Sequence, residues 1–166
     1  MLVLLFTVVL NVAVSVLVWR LDFFVHGDLY AYGLVFSSGW AERYWYLTGM
    51  LWVFLVLGTV LAAGSIVPDY LQSRQPSRFS RWLSFLLPAA ALVYEGLSIW
   101  FLSQKDFIAR NLLYDYGVPL DFDWAATYNP ISTSAFALMA VALLALIIPA
   151  VKALGIVEIE IVQEAK

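Results

Sequence analysis

The sequence predicts an all-α integral membrane protein with four transmembrane helices in a tandem parallel 2+2 repeat, each pair joined by an outer loop carrying a short interfacial helix. Three observations predict it. The chain is 63% apolar and 13% charged, against about half apolar and a quarter charged in soluble domains, and its mean hydropathy is +0.87. The apolar residues gather into four runs close to the roughly 20 residues that cross a bilayer core. The stretch 22–44, DFFVHGDLYAYGLVFSSGWAERY, returns 84 positions later at 106–128 as DFIARNLLYDYGVPLDFDWAATY, with nine of the 23 aligned positions identical. A match of that density marks a duplicated unit, and repeats are worth finding first because they dictate architecture.

The first repeat covers 1–67. Its opening run, 2–19, reads as the first span, and 46–67 as the second. The N-terminus lacks the basic start and small-residue cleavage site of a signal peptide, so the first span is expected to stay in place. Residues 68–82 form a basic linker with Arg74, Arg78 and Arg81 against Asp69. Loop arginines favour the cytoplasmic side. The linker therefore orients the chain, with both repeated loops outside and both termini cytoplasmic. The second repeat covers 83–151, with spans at 83–103 and 130–151, and 152–166 is a cytoplasmic tail. All four spans must be helices, because backbone groups in hydrocarbon need partners within the segment or in a closed barrel, and these segments lack the alternating polarity of barrel strands.

The outer loops, 20–45 and 104–129, hold the repeated residues. Asp22 and Asp106 read as N-caps, and Gly33 and Gly117 as left-handed helix stops. This punctuation predicts a short helix in each loop along the membrane interface. Tyr30, Tyr32, Trp40 and Tyr44, with Tyr114, Tyr116, Trp124 and Tyr128, carry the amphipathic rings that settle at that depth. A ligand pocket between the two loops is the alternative reading. Asn129–Pro130 reads as a cap and first turn opening the fourth span. Thr48 and Ser132 occupy equivalent positions in the two repeats.

Glu95 is the only acidic or basic residue well inside a span, and the shift of 84 pairs it with Asn11. A charge at the bilayer centre is costly, so such a residue faces protein, pairs, or is neutralised. Thr7, Asn11 and Ser15 recur every fourth residue on the first span, and Ala91, Glu95 and Ser98 mark a small or polar face on the third. The two faces are expected to meet near the pseudo-axis, with Asn11 bonded to Glu95. Glu95 then reads as a protonated helix clamp, as a proton or cation relay, or as a contact to a partner. Gly58, Ala62, Ala63 and Gly64 let the second span approach a neighbour closely.

Composition removes several classes of chemistry. The formal charge of -3 and the lack of a basic patch argue against nucleic acid as a partner. The chain contains no cysteine, hence no disulfide, thiolate catalyst or iron–sulfur cluster. His26 is the single histidine, and it becomes Arg110 in the second copy. It reads as an interfacial side chain or, with Asp22 at i−4, as part of an incomplete metal site. No cofactor, metal site or catalytic set is expected from one copy. In the tail, Val157, Ile159 and Ile161 alternate with Glu158 and Glu160, a period of two that suits a strand docking on a partner; a continuation of the fourth helix is the competing reading.

Three functions fit these observations. The first is a structural or accessory subunit of a membrane complex, or a self-associating scaffold, with membrane lipids and other subunits as partners. The second is a small transporter or channel using Glu95. The third is an enzyme acting on a lipid or quinone at the outer interface. The localisation expected is a multi-pass protein of a prokaryotic plasma membrane.

Overall fold

A computed structural model describes residues 1–31, 39–74, 78–115 and 122–164, with side chains throughout except at 28–31, 39–41, 69, 72–74, 78, 112–115, 122–125, 153 and 155–164. It is all-helical among the described residues: α1 (Leu2–Ala31), α2 (Gly39–Gly64), α3 (Ile66–Arg74), α4 (Arg78–Asp115) and α5 (Phe122–Glu164). Four stretches are long and apolar enough to cross a membrane: Leu2–Gly27, Glu42–Pro68, Phe79–Asn111 and Ala126–Lys152. The four long helices form a ring in which α1 and α4 each pack against both α2 and α5. Thus α1 and α4 face each other across the centre. The short α3 lies against α4.

The buried residues explain this packing. On α1 the least exposed fall at Leu4, Thr7, Asn11, Val14, Val18, Leu21 and Val25, with Leu10 beside them; on α4 at Ala91, Glu95, Ser98, Leu102, Lys105 and Ala109, with Ser80, Ser84 and Phe101 also buried. The two main series, 4–25 and 91–109, follow alternating steps of three and four, as do Tyr128, Ser132, Ala135, Met139 and Ala142 on α5. A seam repeating every 3.5 residues is the pattern of knobs-into-holes packing at shallow crossing angles. It yields two apolar clusters. The larger includes Val14, Val18, Leu21, Leu51, Leu55, Leu102 and Met139. The smaller consists of Leu4, Ala62, Ala91 and Leu146. The polar residues Thr7, Asn11, Glu95 and Ser98 are fully buried in the same inward series of α1 and α4.

Several sequence expectations need correction. The segment after residue 22 is not a separate interfacial helix, because α1 runs unbroken to Ala31 and α4 to Asp115. Asp22 and Asp106 therefore lie inside helices rather than at N-caps, and their carboxylates bond to side chains of other residues. A good capping residue is only a local preference, and long-range partners override it here. Tyr32, Gly33, Tyr116 and Gly117 lie outside the described residues. Tyr30, Trp40, Tyr114 and Trp124 have helical backbones, and their side chains are outside the description.

The helix of the fourth span does not start at Asn129–Pro130, since α5 already runs from Phe122 and carries Pro130 and Pro149 within it. The second span lies within Glu42–Pro68, but its helix is broken inside it. Pro68 has no N–H to donate to the carbonyl four residues back, at Gly64, and the helix is interrupted at Ser65 before resuming as α3. The Ser65 hydroxyl donates to the Leu61 carbonyl at 2.7 Å and covers part of the break. The tail at Val157, Ile159 and Ile161 is helical, continuing α5 to Glu164. Alternating β-branched residues favour a strand only where a neighbouring strand supplies hydrogen bonds, and no strand exists among the described residues.

Candidate functional site

Two polar layers occupy the ring, and each contains a contact from α1 to α4. The deeper layer is Asn11 and Glu95, both with no exposed surface. Asn11 Nδ2 donates to Glu95 Oε2 at 3.1 Å. Around them the small hydroxyls turn to their own helices: Thr7 donates to the Val3 carbonyl at 3.0 Å, Ser15 to that of Asn11 at 2.8 Å, and Ser98 to that of Tyr94 at 2.9 Å. Asn11 and Glu95 are therefore left to each other. Each keeps one buried oxygen without a hydrogen bond, Asn11 Oδ1 and Glu95 Oε1. A carboxylic acid and a primary amide can exchange two hydrogen bonds when the acid carries its proton. One proton between these oxygens would satisfy both.

Gly58 brings α2 against this pair. A Cβ at Gly58 would stand 3.6 Å from Glu95 Oε2 and 3.5 Å from the Tyr94 Cβ. Next to it, Phe54 lies against Tyr94 at 5.7 Å and stacks on Phe101 at 5.2 Å. The close approach that the small residues of the second span suggested thus falls beside the buried carboxyl.

The second layer lies toward the end where α1 leads to α2 and α4 to α5. From Glu95 to Lys105 is ten residues of α4, a rise of about 15 Å. Lys105 is buried, 2% exposed, and its ammonium pairs with Asp22 of α1. Tyr44 of α2 donates its hydroxyl to the same Asp22 oxygen at 3.0 Å, and the Lys105 ammonium stands over the Tyr44 ring at 5.2 Å.

Asp106 organises a parallel cluster. Arg110 Nε donates to it at 2.8 Å, one helical turn along α4, and Ser132 Oγ at 2.8 Å from α5. Tyr128 lies within hydrogen-bonding reach of the same carboxylate. Arg110 Nη1 donates to Asn129 Oδ1 at 2.8 Å, and its guanidinium stands over the Tyr128 ring at 5.0 Å.

Both clusters therefore hold an aspartate, a tyrosine and a cation over the tyrosine face, a contact stronger in desolvated surroundings. Their cations come from different places. Arg110 belongs to the same helix as its aspartate, whereas Lys105 crosses the ring to reach Asp22. The hydroxyls differ as well: Ser132 bonds Asp106, while the equivalent Thr48 Oγ1 is buried without a partner.

Of the residues singled out from sequence, the structure brings together Asn11 with Glu95, and Asp22 with Tyr44. It sets Asp106 beside Tyr128 and Ser132. His26 is exposed, with its ring edge-on to Trp45 at 5.9 Å. No group of three or more His, Asp or Glu side chains among the described residues is placed to hold a metal ion. Sequence reasoning missed Lys105 as a site residue and treated Arg110 only as the counterpart of His26. The signal was there: Lys105 follows Ala91, Glu95, Ser98 and Leu102 in the three-and-four rhythm, which makes it an inward-facing lysine.

Chemically, these groups are committed to one another. The contacts to Asp22 and Asp106 neutralise each carboxylate within the protein, as buried charges require. No protein-family model, curated protein or solved structure matches the chain.

Proposed function

We propose that this chain is a structural or accessory subunit of a membrane-embedded complex, or a scaffold that associates with itself. The observation that carries the reading is the commitment of the interior polar groups. Asp22, Lys105, Asp106 and Arg110 are paired inside one chain, and Glu95 is bonded to Asn11. Between the two layers the interior is filled by Val14, Val18, Leu51, Leu55 and Leu102. A conducting route needs a polar lining, and these residues do not provide one.

The outward faces support membrane insertion. On α4, Phe79, Leu86, Val93, Trp100 and Phe107 recur every seventh residue and are all exposed. A stripe of that length is incompatible with water as its surroundings unless another surface covers it. We place the loops between α1 and α2 and between α4 and α5 outside, and both termini in the cytoplasm, on the strength of Arg74, Arg78 and Arg81. The two halves are read as a tandem repeat about an axis along the membrane normal. Support comes from the matching Asp22–Tyr44 and Asp106–Tyr128 pairs.

Purification in mild detergent followed by mass spectrometry and light scattering tests the leading reading. Stoichiometric co-purifying subunits, or a defined homo-oligomer, support it; a stable monomer with no associated protein overturns it. A transporter using Glu95 as a proton or cation site is the second reading, favoured by the unbonded Oε1. Ion or proton flux in proteoliposomes that disappears in Glu95→Gln would replace the first reading with this one.

A further inference from the structure

A groove of about 340 Å3 runs between α1 and α5 near the loop end, lined by Trp19, Arg20, Phe23, Phe24, Thr127 and Ile131. Trp19 and Phe23 stack at 5.9 Å and form one wall. Phe24, tilted against Tyr128 at 6.3 Å, ties the groove to the Asp106 cluster behind it. Arg20 is its only charged lining residue. Unlike Lys105 and Arg110, it forms no ion pair or side-chain hydrogen bond among the described residues.

Depth determines what can meet it. With the bilayer midplane taken at the Asn11–Glu95 pair, Arg20 stands nine residues further along α1, a rise of about 13 Å, where half of a bilayer's hydrocarbon core is about 15 Å. An arginine rooted there extends its guanidinium to the level of lipid phosphates while its stem stays among apolar groups. Guanidinium and phosphodiester match as a two-pronged, charge-assisted pair. The aromatic walls and Ile131 suit the upper part of an acyl chain, and the Thr127 hydroxyl suits the ester region.

We propose that this groove is a binding site for one anionic phospholipid, with Arg20 on its phosphate and the chain along Trp19, Phe23 and Ile131. The inference rests on the membrane reading above and adds the partner's chemistry. Arg20 is the only charged lining residue, so a headgroup that brings its own ammonium meets a like charge with no carboxylate to offset it, which favours a net anionic lipid over a zwitterionic one.

The test uses the full-length chain in mild detergent, titrated with phosphatidylglycerol, phosphatidylcholine or diacylglycerol and observed by native mass spectrometry. One phosphatidylglycerol is expected to be retained in preference to the others. Arg20→Gln should weaken it by about tenfold or more, the value of a hydrogen bond to a charged group, with Arg20→Lys intermediate. Ile131→Trp should weaken it by filling the groove without altering charge. Arg43→Gln, exposed on α2 and outside the lining, should leave it unchanged.

Equal losses in Arg20→Gln and Arg43→Gln would reduce the effect to general attraction and overturn the site. Retention of diacylglycerol as tightly as phosphatidylglycerol would remove the phosphate from it, and displacement by millimolar inorganic phosphate would replace the lipid with a free anion. A chain that alkaline carbonate extracts from vesicles would overturn the membrane reading itself. A chain that stays inserted but holds no lipid overturns this inference alone.

Discussion

Asn11 and Glu95, 84 positions apart, meet through one hydrogen bond of 3.1 Å between two side chains with no exposed surface. Their helices face each other across the ring, so the contact crosses the middle of the protein. Glu95→Gln keeps the shape and supplies an N–H for the Asn11 carbonyl oxygen, and should leave stability within about 0.5 kcal/mol of the parent. Asn11→Leu and Glu95→Leu should each destabilise, with a coupling of about 0.5–2 kcal/mol in the double-mutant cycle. Reversible unfolding in mixed micelles measures it, and a coupling of zero would remove the pair as a clamp.

Lys105→Met should be among the most damaging single changes. It strands Asp22, whose side chain is 14% exposed, and breaking a largely buried pair from one side costs about 2–4 kcal/mol. The double variant Lys105→Met/Asp22→Asn should recover most of that loss, because no uncompensated charge remains. Thermal melting of the detergent-solubilised protein distinguishes the three.

The two equivalent hydroxyls should respond in opposite ways. Ser132→Ala removes a donor from Asp106 and should cost about 1 kcal/mol. Thr48→Val replaces a buried hydroxyl that has no partner, and should be neutral or stabilising by up to about 1 kcal/mol. Equal losses in parallel unfolding curves would contradict the asymmetry between the clusters.

Gly58 sets how closely α2 approaches the buried carboxyl. The distances of 3.5 and 3.6 Å from an added Cβ are ordinary contacts, so Gly58→Ala should be tolerated. Gly58→Leu adds branches that overpack the space beside Tyr94 and Glu95, costing about 1–3 kcal/mol. The comparison is made on folded yield and midpoint of unfolding.

Absence of cysteine makes orientation easy to probe. Ser37→Cys should react with an impermeant maleimide in intact cells, and Ser77→Cys only after permeabilisation. The reverse pattern would invert the proposed topology.

The coarse architecture was legible because its causes are local. Apolar runs of about 20 residues are visible without knowing what they touch, and a buried carboxyl announces itself by being the only one in its run. The shift of 84 that aligns 22–44 with 106–128 also aligns Asn11 with Glu95, and the two are hydrogen-bonded. Where helices end was less legible. Asp22 and Asp106 look like caps in isolation, and they are mid-helix because Tyr44, Lys105, Arg110 and Ser132 offer their carboxylates better partners. The alternating tail at 157–161 carried the signature of a strand, which needs a second strand to be realised.

By itself, then, the sequence determined four long apolar helices, an intolerable charge at Glu95 and its nearest polar match at Asn11. Tertiary structure alone decided that Lys105, a residue with no motif around it, crosses from α4 to close a triangle with Asp22 and Tyr44. The reason is physical. Hydropathy and capping are properties of neighbours along the chain, whereas the partner of a buried charge is whatever group the packing brings within hydrogen-bond distance, here 83 positions away.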